Sequence, residues 1–456
     1  MTMQYCACRR MLMQDSEPPH APRPPFRTLE KDPLKKVVLA YSGGLDTSVA
    51  VAWLRERYDV EVVTLTVDVG GGSLRPGAPQ RALSAGASRS YVVDARKRFV
   101  EAFVWPALRA GAMYQGAYPL ATALARPLIA QLLVEVAHAE GADAVAHGCT
   151  GKGNDQVRFD VAVKALDGRL EVVAPMRVGM GMSRDQEIEY ALERGIEIPV
   201  THASPYSVDV NLWGRSVETG VLEDPWITPP TDAYAWTVAA AGAPEPVELT
   251  IGFEAGVPIS MDGRQLDPVE LVEGLNGLAG GHGVGRIDHV EDRLVGIKSR
   301  EVYEAPAAVV LHAAHRALEG LTLSKDQLRF GRFVADEIAQ ATYDGLWFTR
   351  LQLGLREYVR SAQQVVSGEV RLRLDHGTAA VVGRRSGASL YDRALATYDE
   401  GDAFDHASAV GFISIFGLPL RTEAARSRAS GVPEVAFDQL PVQVFDAEVE
   451  PVAAPT

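Results

Sequence analysis

Apolar residues recur along the first half of the chain in short runs that alternate with longer, helix-like stretches. The short runs are rich in β-branched residues and predict strands at 37–40, 60–67, 90–93 and 144–146. Apolar residues four apart predict a long helix from Thr122 to Glu140. Strands that alternate with helices of ten or more residues predict a doubly wound parallel sheet, and therefore an α/β fold.

The second half of the chain lacks this regular alternation. Its pattern predicts strands at 248–257 and 258–262, long helices at 307–319 and 325–343, and a hairpin at 369–383. The glycines between Gly280 and Gly285 predict a loop before a further strand. The irregular order of these elements predicts a second domain of the α+β class.

The first strand runs directly into a glycine turn. Residues 40–48 have the sequence AYSGGLDTS, and a helical pattern follows at once. The N–H groups at a helix N-terminus have no partners within the helix and carry the positive end of its dipole, so such a turn can bind an anion. Gly43 and Gly44 also allow the backbone to approach a phosphate closely. The segment predicts a phosphate-binding loop, in which Asp46 has a metal-binding or positioning role.

The spacing of this loop fits neither the Walker A pattern nor Gly-x-Gly-x-x-Gly. It resembles the Ser-Gly-Gly-x-Asp-[Ser/Thr] pyrophosphate loop of the ATP pyrophosphatases, which split ATP between the α- and β-phosphates. On this segment alone, a plain strand-turn-helix without a ligand stays open as the alternative.

A second glycine-rich turn, HGCTGKGNDQVRF at 147–159, follows the strand at 144–146. Lys152 is a mobile point charge that suits a phosphate, and Arg158 can bind a carboxylate with two hydrogen bonds. Arg126 lies near the start of the predicted helix, where a cation opposes the dipole. It therefore either meets an anion or extends to solvent, and both interpretations stay open. Two such turns at neighbouring strand ends favour a binding site over two capped loops.

Composition narrows the classes of partner. The net charge of −14 over 456 residues argues against a nucleic-acid partner, and no apolar run is long enough to span a bilayer. The cysteines are Cys6, Cys8 and Cys149, which form no disulfide framework and indicate a reducing compartment. We therefore expect a cytoplasmic protein, with Cys6 and Cys8 as free thiols rather than metal ligands, and we predict no metal site of the His/Cys type.

Taken together, the motifs resemble those of the argininosuccinate synthases. The resemblance covers about Lys36 to Leu420 and is carried by four segments: AYSGGLDTS at 40–48, HGCTGKGNDQVRF at 147–159, HGVGRID at 282–288 and KSREVYE at 298–304. It implies a Rossmann-like ATP-binding domain (adenine nucleotide alpha hydrolase-like) at 34–200 and a synthetase and multimerisation domain at 201–420. A disordered Pro-rich tail at 1–33 and a C-terminal extension at 421–456 would flank them.

The resemblance also implies a reaction. The family joins L-citrulline to L-aspartate at the expense of ATP through a citrullyl-AMP intermediate, and it releases argininosuccinate, AMP and diphosphate in arginine biosynthesis. It implies Mg²⁺ as a cofactor, a homotetramer, and small-molecule partners rather than a nucleic acid or a membrane.

Finally, the resemblance implies which positions contact each substrate. The ATP set is Ala40, Tyr41, Ser42, Gly43, Gly44, Leu45, Asp46, Thr47, Ser48, Val67, Gly148, Thr150 and Asp209. The citrulline set is Tyr118, Asn154, Arg158, Ser207, Ser216, Glu291 and Tyr303. The aspartate set is Thr122, Thr150, Asn154 and Asp155, and the catalytic set is Asp46, Arg126, Lys152 and Asp155. Arg126 and Lys152 would offset charge that develops on the phosphates.

The chain departs from the family pattern at two places. The loop at 69–77 reads VGGGSLRPG, where many members carry Gly-Gln and an acidic helix, and Ala123 stands where some carry Ser. Two rival functions are another pyrophosphate-loop enzyme, such as a tRNA-thiolating or amide-forming one, and a non-catalytic nucleotide-binding protein. The acidic charge and the lack of paired cysteines argue against thiolation. The set Asp46, Lys152, Asp155 and Arg158 argues against a protein without activity.

Overall fold

The computed structural model describes residues 34–197, 206–399 and 402–431. The Pro-rich tail with Cys6 and Cys8, and the end of the predicted C-terminal extension, lie outside the described residues. The chain up to Leu390 forms one compact unit, and the chain from Tyr391 onward forms a second. Within the described residues, no helix combines the length and the apolar character needed to cross a membrane.

The elements before residue 198 form a parallel α/β unit. The strands are β1 (Lys36–Ala40), β2 (Glu61–Asp68), β3 (Arg89–Asp94), β4 (Ala144–Ala146) and β5 (Glu171–Val173). The helices are α1 (Leu45–Tyr58), α2 (Ala78–Ser84), α3 (Arg96–Phe99), α4 (Trp105–Ala110), α5 (Ala121–Glu140), α6 (Asp155–Leu166) and α7 (Arg184–Glu193). A π-helical turn, Val100–Val104, joins α3 to α4. The strands lie parallel in the order β3-β2-β1-β4-β5, which confirms the predicted doubly wound sheet.

Alternating side chains of β1 explain why helices cover both faces of this sheet. Val37 and Leu39 are buried in one apolar cluster with Leu54 of α1, whereas Val38 is buried in another with Leu128 of α5. Successive residues of a strand point to opposite faces, so each face needs its own helical cover. The strand order reverses between β1 and β4, and ligands of such sheets bind at this switch point, beyond the carboxyl ends of the strands.

The elements between 206 and 390 form an α+β arrangement, as predicted. The strands are β6 (Ser207–Asn211), β7 (Gly214–Glu218), β8 (Val247–Glu254), β9 (Val257–Met261), β10 (Arg264–Gln265), β11 (Arg286–Asp292), β12 (Lys298–Glu304), β13 (Gly368–Asp375) and β14 (Thr378–Arg385). The helices are α8 (Pro268–Gly281), α9 (Pro306–Thr322), α10 (Lys325–Tyr343) and α11 (Arg350–Ala362). The strands pair in two sheets with the orders β10-β9-β8-β13-β14 and β11-β12-β7-β6.

The glycine-rich stretch before β11 differs from the predicted loop at its start. Helix α8 continues to Gly281, and the turn comes only at Gly283 and Gly285, which have φ of +77° and +109°. A Cβ at Gly280 would lie 2.2 Å from the Trp236 carbonyl oxygen. Gly280 therefore allows a close approach between two segments rather than a turn.

The second unit contains the helices α12 (Arg393–Ala396), α13 (His406–Phe416) and α14 (Leu418–Ala429). Helix α13 has the sequence HASAVGFISIF, and large apolar side chains on it are exposed, among them Phe412, Ile413 and Phe416. A contiguous exposed apolar surface is typical of a protein–protein contact.

Candidate functional site

The turn between β1 and α1 has the geometry of an anion-binding loop. Gly43 has φ of +72°, and a Cβ there would lie 2.9 Å from the Cβ of Ala78, so both the backbone angle and the space require glycine. Gly44 caps α1 without a side-chain hydrogen bond, which leaves the first N–H groups of the helix available to a ligand. Beneath the turn, the buried Ser48 hydroxyl donates to the Gly44 carbonyl at 2.8 Å and pairs with the Tyr41 hydroxyl at 2.8 Å.

A cavity of about 670 Å³ opens above this turn, at the switch point of the sheet. Most of the predicted ATP set lines it, namely Ala40, Tyr41, Ser42, Gly44, Leu45, Asp46, Thr47, Val67, Gly148 and Asp209. Gly43, Ser48 and Thr150 do not line this cavity. Arg126 lines it as well, and so does Ser207, which was predicted for citrulline. The cavity also has two cations that the sequence interpretation missed, Arg75 and Arg184.

The loop that departs from the family pattern closes one side of this cavity. A Cβ at Gly70 would lie 2.3 Å from Leu212 Cγ, and one at Gly71 would lie 2.5 Å from the Asn211 carbonyl oxygen. The Leu212 N–H also donates to the Val69 carbonyl at 3.0 Å. The glycines thus let the loop pack directly against the β6–β7 hairpin. Further along the loop, Arg75 Cζ lies 3.9 Å from where a Cβ of Gly44 would be.

A second, smaller cavity of about 110 Å³ adjoins the first. Asp209 lines both cavities. The predicted amino-acid-binding residues that line the second are Tyr118, Thr122, Asn154, Asp155, Arg158, Ser216, Glu291 and Tyr303. These residues come from α5 and the loop before it, from α6 and its N-cap, and from β7, β11 and β12. The structure therefore brings together positions that are up to 185 residues apart, as from Tyr118 to Tyr303.

Arg126 lies where the two cavities meet. Its Nη2 donates to Asp209 and lies 2.8 Å from Asp155 Oδ2, so its anions are carboxylates of the protein itself. Burial alone would raise the pKa of Asp155, but Arg126 and Arg158 outweigh it and hold that pKa below its ordinary value. Asp155 is therefore an ionised carboxylate that fixes two guanidinium groups at the junction.

Arg158 is buried, and it lines the smaller cavity. Its Nη1 donates to Asp155 Oδ1 at 2.9 Å and its Nε to the Tyr343 carbonyl at 2.8 Å, while the guanidinium lies 4.7 Å from the centre of the Tyr343 ring. Its Nη2 is buried and has no hydrogen-bond partner among the described residues. A buried donor of this kind is costly unless a ligand satisfies it, and a carboxylate is the group that suits a guanidinium best.

Glu291 also lines the smaller cavity. It is buried, and it accepts hydrogen bonds from the hydroxyls of Tyr303 at 2.6 Å and Tyr343 at 2.5 Å. Tyr303 of β12 pairs directly with Ser216 of β7 in the sheet, which brings the serine to the same side. A carboxylate held by two neutral donors can accept a further hydrogen bond from an ammonium group.

Three charged residues of the smaller cavity were missed by the sequence interpretation: Glu218, Arg293 and Glu301. Arg293 Nη2 donates to Glu218, and to Glu301 at 2.8 Å. Burial, followed by the charge of Glu218, raises the pKa of Glu301 to about 8. Glu301 belongs to the matched segment KSREVYE, but only the pairing of β12 with β7 brings it near Glu218.

Two further observations concern the predicted catalytic set. Asp46 has an unexpected buried neighbour, Glu187 of α7, whose pKa is raised to about 7 by burial and then by the charge of Asp46 and a hydrogen bond to it. Lys152 and Thr150 are both exposed on the second glycine turn, and neither residue lines either cavity. The roles predicted for these two residues stay predictions.

The comparison with known proteins agrees with this geometry. Residues 36–197 match the "Arginosuccinate synthase N-terminal HUP domain" family, and residues 206–423 match the "Arginosuccinate synthase C-terminal domain" family. A relative from Dehalococcoides mccartyi named "Argininosuccinate synthase" is 54% identical over 391 residues, covering 86% of this chain and 96% of that protein. One of the same name from Symbiobacterium thermophilum is 56% identical over 393 residues, covering 86% and 98%. Among solved structures, the match to an NAD+ synthetase from Burkholderia pseudomallei covers 38% of this chain and 64% of that one, with 22% sequence identity and a TM-score of 0.25.

Proposed function

The chain belongs to the argininosuccinate synthase family, and from that premise we propose how its two cavities divide the substrates. It condenses L-citrulline with L-aspartate in arginine biosynthesis, and it converts ATP to AMP and diphosphate through a citrullyl-AMP intermediate. In our proposal, ATP binds in the larger cavity, and the two amino acids bind in and beside the smaller one. The observation that carries this division is the unpaired, buried Nη2 of Arg158, a residue that lines a cavity adjoining the ATP cavity at Asp209.

In the ATP cavity, the phosphates would bind to the N–H groups of the Gly43–Gly44 turn. The hydroxyls of Ser42 and Thr47, which lie 3.1 Å apart, line the same wall and can donate to the phosphate oxygens. Val67 and Gly148 would contact the adenosine. The α-phosphate would then face Asp209. Because Asp209 lines both cavities, the α-phosphate would also face the smaller cavity.

In the smaller cavity, the citrulline carboxylate would bind Arg158 and its ammonium group would bind Glu291. Tyr118, Asn154, Ser216 and Tyr303 complete this set. The ureido oxygen attacks the α-phosphate, and diphosphate leaves. Arg126 at the junction stabilises the charge that develops there, and alignment of the reacting oxygens supplies much of the rate.

The second half-reaction uses the same junction. We propose that Thr122, Asn154 and Asp155 hold the aspartate. Its amine displaces AMP from the citrulline adduct, and the oxygen that came from the ureido group leaves with AMP. Thr150 and Lys152 are exposed and line neither cavity, and Ser207 lines the ATP cavity, so the contacts expected for these three residues stay predictions.

Mg²⁺ fits the donor chemistry of the larger cavity. Magnesium usually binds through one or two carboxylates together with substrate phosphates, and Asp46 supplies one carboxylate beside the hydroxyls of Ser42 and Thr47. When bound, the ion would neutralise charge on the leaving diphosphate. We therefore propose Asp46 as its protein ligand.

We also propose a homotetramer in the cytoplasm. The exposed apolar side chains of α13 support an assembly, because a surface of that kind is normally covered by another chain. The cysteine usage supports a reducing compartment. Light scattering on the purified full chain tests the assembly: a mass of about four chains is expected, and a stable monomer would contradict the proposal.

The domain boundaries predicted at about 200 and 420 also remain a proposal. The two family matches support the first boundary, because they end at 197 and begin again at 206.

Diphosphate release tests the proposed division of substrates. We expect diphosphate from ATP only when citrulline is present, and we expect the release of AMP to require aspartate as well. Diphosphate formation that does not depend on citrulline, or none under any condition, would contradict the proposal.

A further inference from the structure

Tyr343 lies at the end of α10, 40 residues beyond Tyr303, and it forms hydrogen bonds with three residues of the proposed citrulline set. Its hydroxyl contacts Glu291 and Asn154, and its carbonyl contacts Arg158. These three residues belong to two different segments of the chain, β11 and the start of α6. We infer that Tyr343 is a positioning residue that sets the orientation of the citrulline-binding groups, an inference that rests on the proposed function.

The hydroxyl of Tyr343 has defined hydrogen-bond directions. Glu291 is a carboxylate and can only accept, so the Tyr343 hydroxyl donates its proton to Glu291 Oε1 at 2.5 Å. The Tyr343 oxygen is then an acceptor, and it receives a hydrogen bond from Asn154 Nδ2 at 2.8 Å. One hydroxyl thereby links β11 to the start of α6 beside the smaller cavity.

This link determines which way the Asn154 amide points. The Leu294 N–H donates to Asn154 Oδ1 at 2.9 Å, so both ends of the amide have a partner that fits only one orientation. One Nδ2 hydrogen and one Oδ1 lone pair are left for ligands. Since Asn154 is proposed to contact both amino acids, Tyr343 and the Leu294 N–H together determine where each substrate meets a donor and where each meets an acceptor.

The backbone at Tyr343 and Gly345 holds the Arg158 side chain in place. Gly345 has φ of +80°, and a Cβ there would lie 2.8 Å from Arg158 Cα. Only glycine lets the chain pass this close, and the close passage brings the Tyr343 carbonyl to Arg158 Nε. With Nε and Nη1 satisfied by the protein, Nη2 is the donor left for the ligand.

Tyr343→Phe removes the hydroxyl and keeps the ring and the carbonyl. Tyr114→Phe is a matched control, because Tyr114 stacks on Tyr343 at 3.6 Å but donates its hydroxyl to the Asp292 carbonyl instead. We expect Tyr343→Phe to weaken citrulline binding about tenfold, as expected for the loss of a hydrogen bond to a charged group, with ATP affinity within about twofold of the original chain. Tyr114→Phe should change neither affinity by more than about twofold.

A double-mutant cycle with Glu291→Gln separates positioning from general packing. If Tyr343 acts through Glu291, then adding Tyr343→Phe to Glu291→Gln should weaken citrulline binding clearly less than tenfold. Additive effects, an unchanged citrulline affinity in Tyr343→Phe, an equal loss of ATP affinity, or a variant without a cooperative thermal transition would each overturn the inference. If the original chain bound no citrulline at all, the proposed function would fail with it, whereas unchanged binding in the variant overturns this inference alone.

Discussion

Replacing Arg158 by alanine should weaken citrulline binding while ATP binding is retained. The guanidinium is buried, and its Nη2 has no partner among the described residues, so the substrate carboxylate would supply the missing acceptor. A hydrogen bond between charged groups contributes about 2–3 kcal/mol. The KM for citrulline should therefore rise about 30- to 150-fold.

The same change should leave the fold intact. Asp155 loses Arg158 but keeps Arg126 at 2.8 Å, so the Asp155 carboxylate is not left without a cation. Arg158→Lys keeps the charge but loses the two-pronged geometry, and its citrulline KM should lie between those of the original chain and of Arg158→Ala. Arg169→Ala is the matched surface control, because Arg169 is 88% exposed and its hydrogen bonds to the described residues go to Asp167.

The assay is initial diphosphate release, with citrulline and ATP varied separately and thermal unfolding recorded for each variant. An increase in the KM for ATP as large as that for citrulline would refute the placement of Arg158. An unchanged citrulline KM in a folded Arg158→Ala variant would refute it as well.

Three further predictions concern other parts of the two cavities. Asp46→Asn should lower turnover about a hundredfold or more with the thermal transition retained, because the variant loses the charge beside the phosphates; a folded variant with normal turnover would contradict this. Arg75→Ala should raise the KM for ATP up to about fivefold and leave that for citrulline unchanged, since an exposed cation contributes about 1 kcal/mol or less. The raised pKa of Glu301 means that, between about pH 4.5 and pH 8, the folded chain holds a proton that the unfolded chain has released, so the stability of the fold should decrease as the pH rises through this range. The variant Glu301→Gln should show a weaker pH dependence in thermal unfolding. Parallel curves for the variant and the original chain would argue against the raised pKa.

The sequence predicts those parts of the fold whose pattern is local. The alternating runs, the glycine turn at 42–44 and the spacing of helix α5 each occupy a short window, and the structure confirms them. The glycines at 280–281 were predicted to form a loop, because the sequence alone does not distinguish a glycine needed for a turn from one needed for a close approach to Trp236.

The residues of the candidate site also divide into those found from a local sequence pattern and those placed by contacts between distant segments. Arg158 and Glu291 were found through motifs, but Tyr343 lies in no matched motif and its importance comes from contacts across 189 and 52 residues of sequence. Glu187 beside Asp46 is likewise a product of packing between α1 and α7. Arg126 shows the intermediate case: its position left an anion and an extension to solvent as alternatives, and the structure identifies Asp155 and Asp209 as carboxylates it meets.

The central claim is that the ureido oxygen of citrulline reaches the α-phosphate of ATP where the two cavities meet at Asp209. Isotope transfer tests this most directly. With citrulline labelled by ¹⁸O in the ureido group, ATP and aspartate, mass spectrometry of the products should find the label in AMP and none in diphosphate. AMP that carries no label would contradict the account.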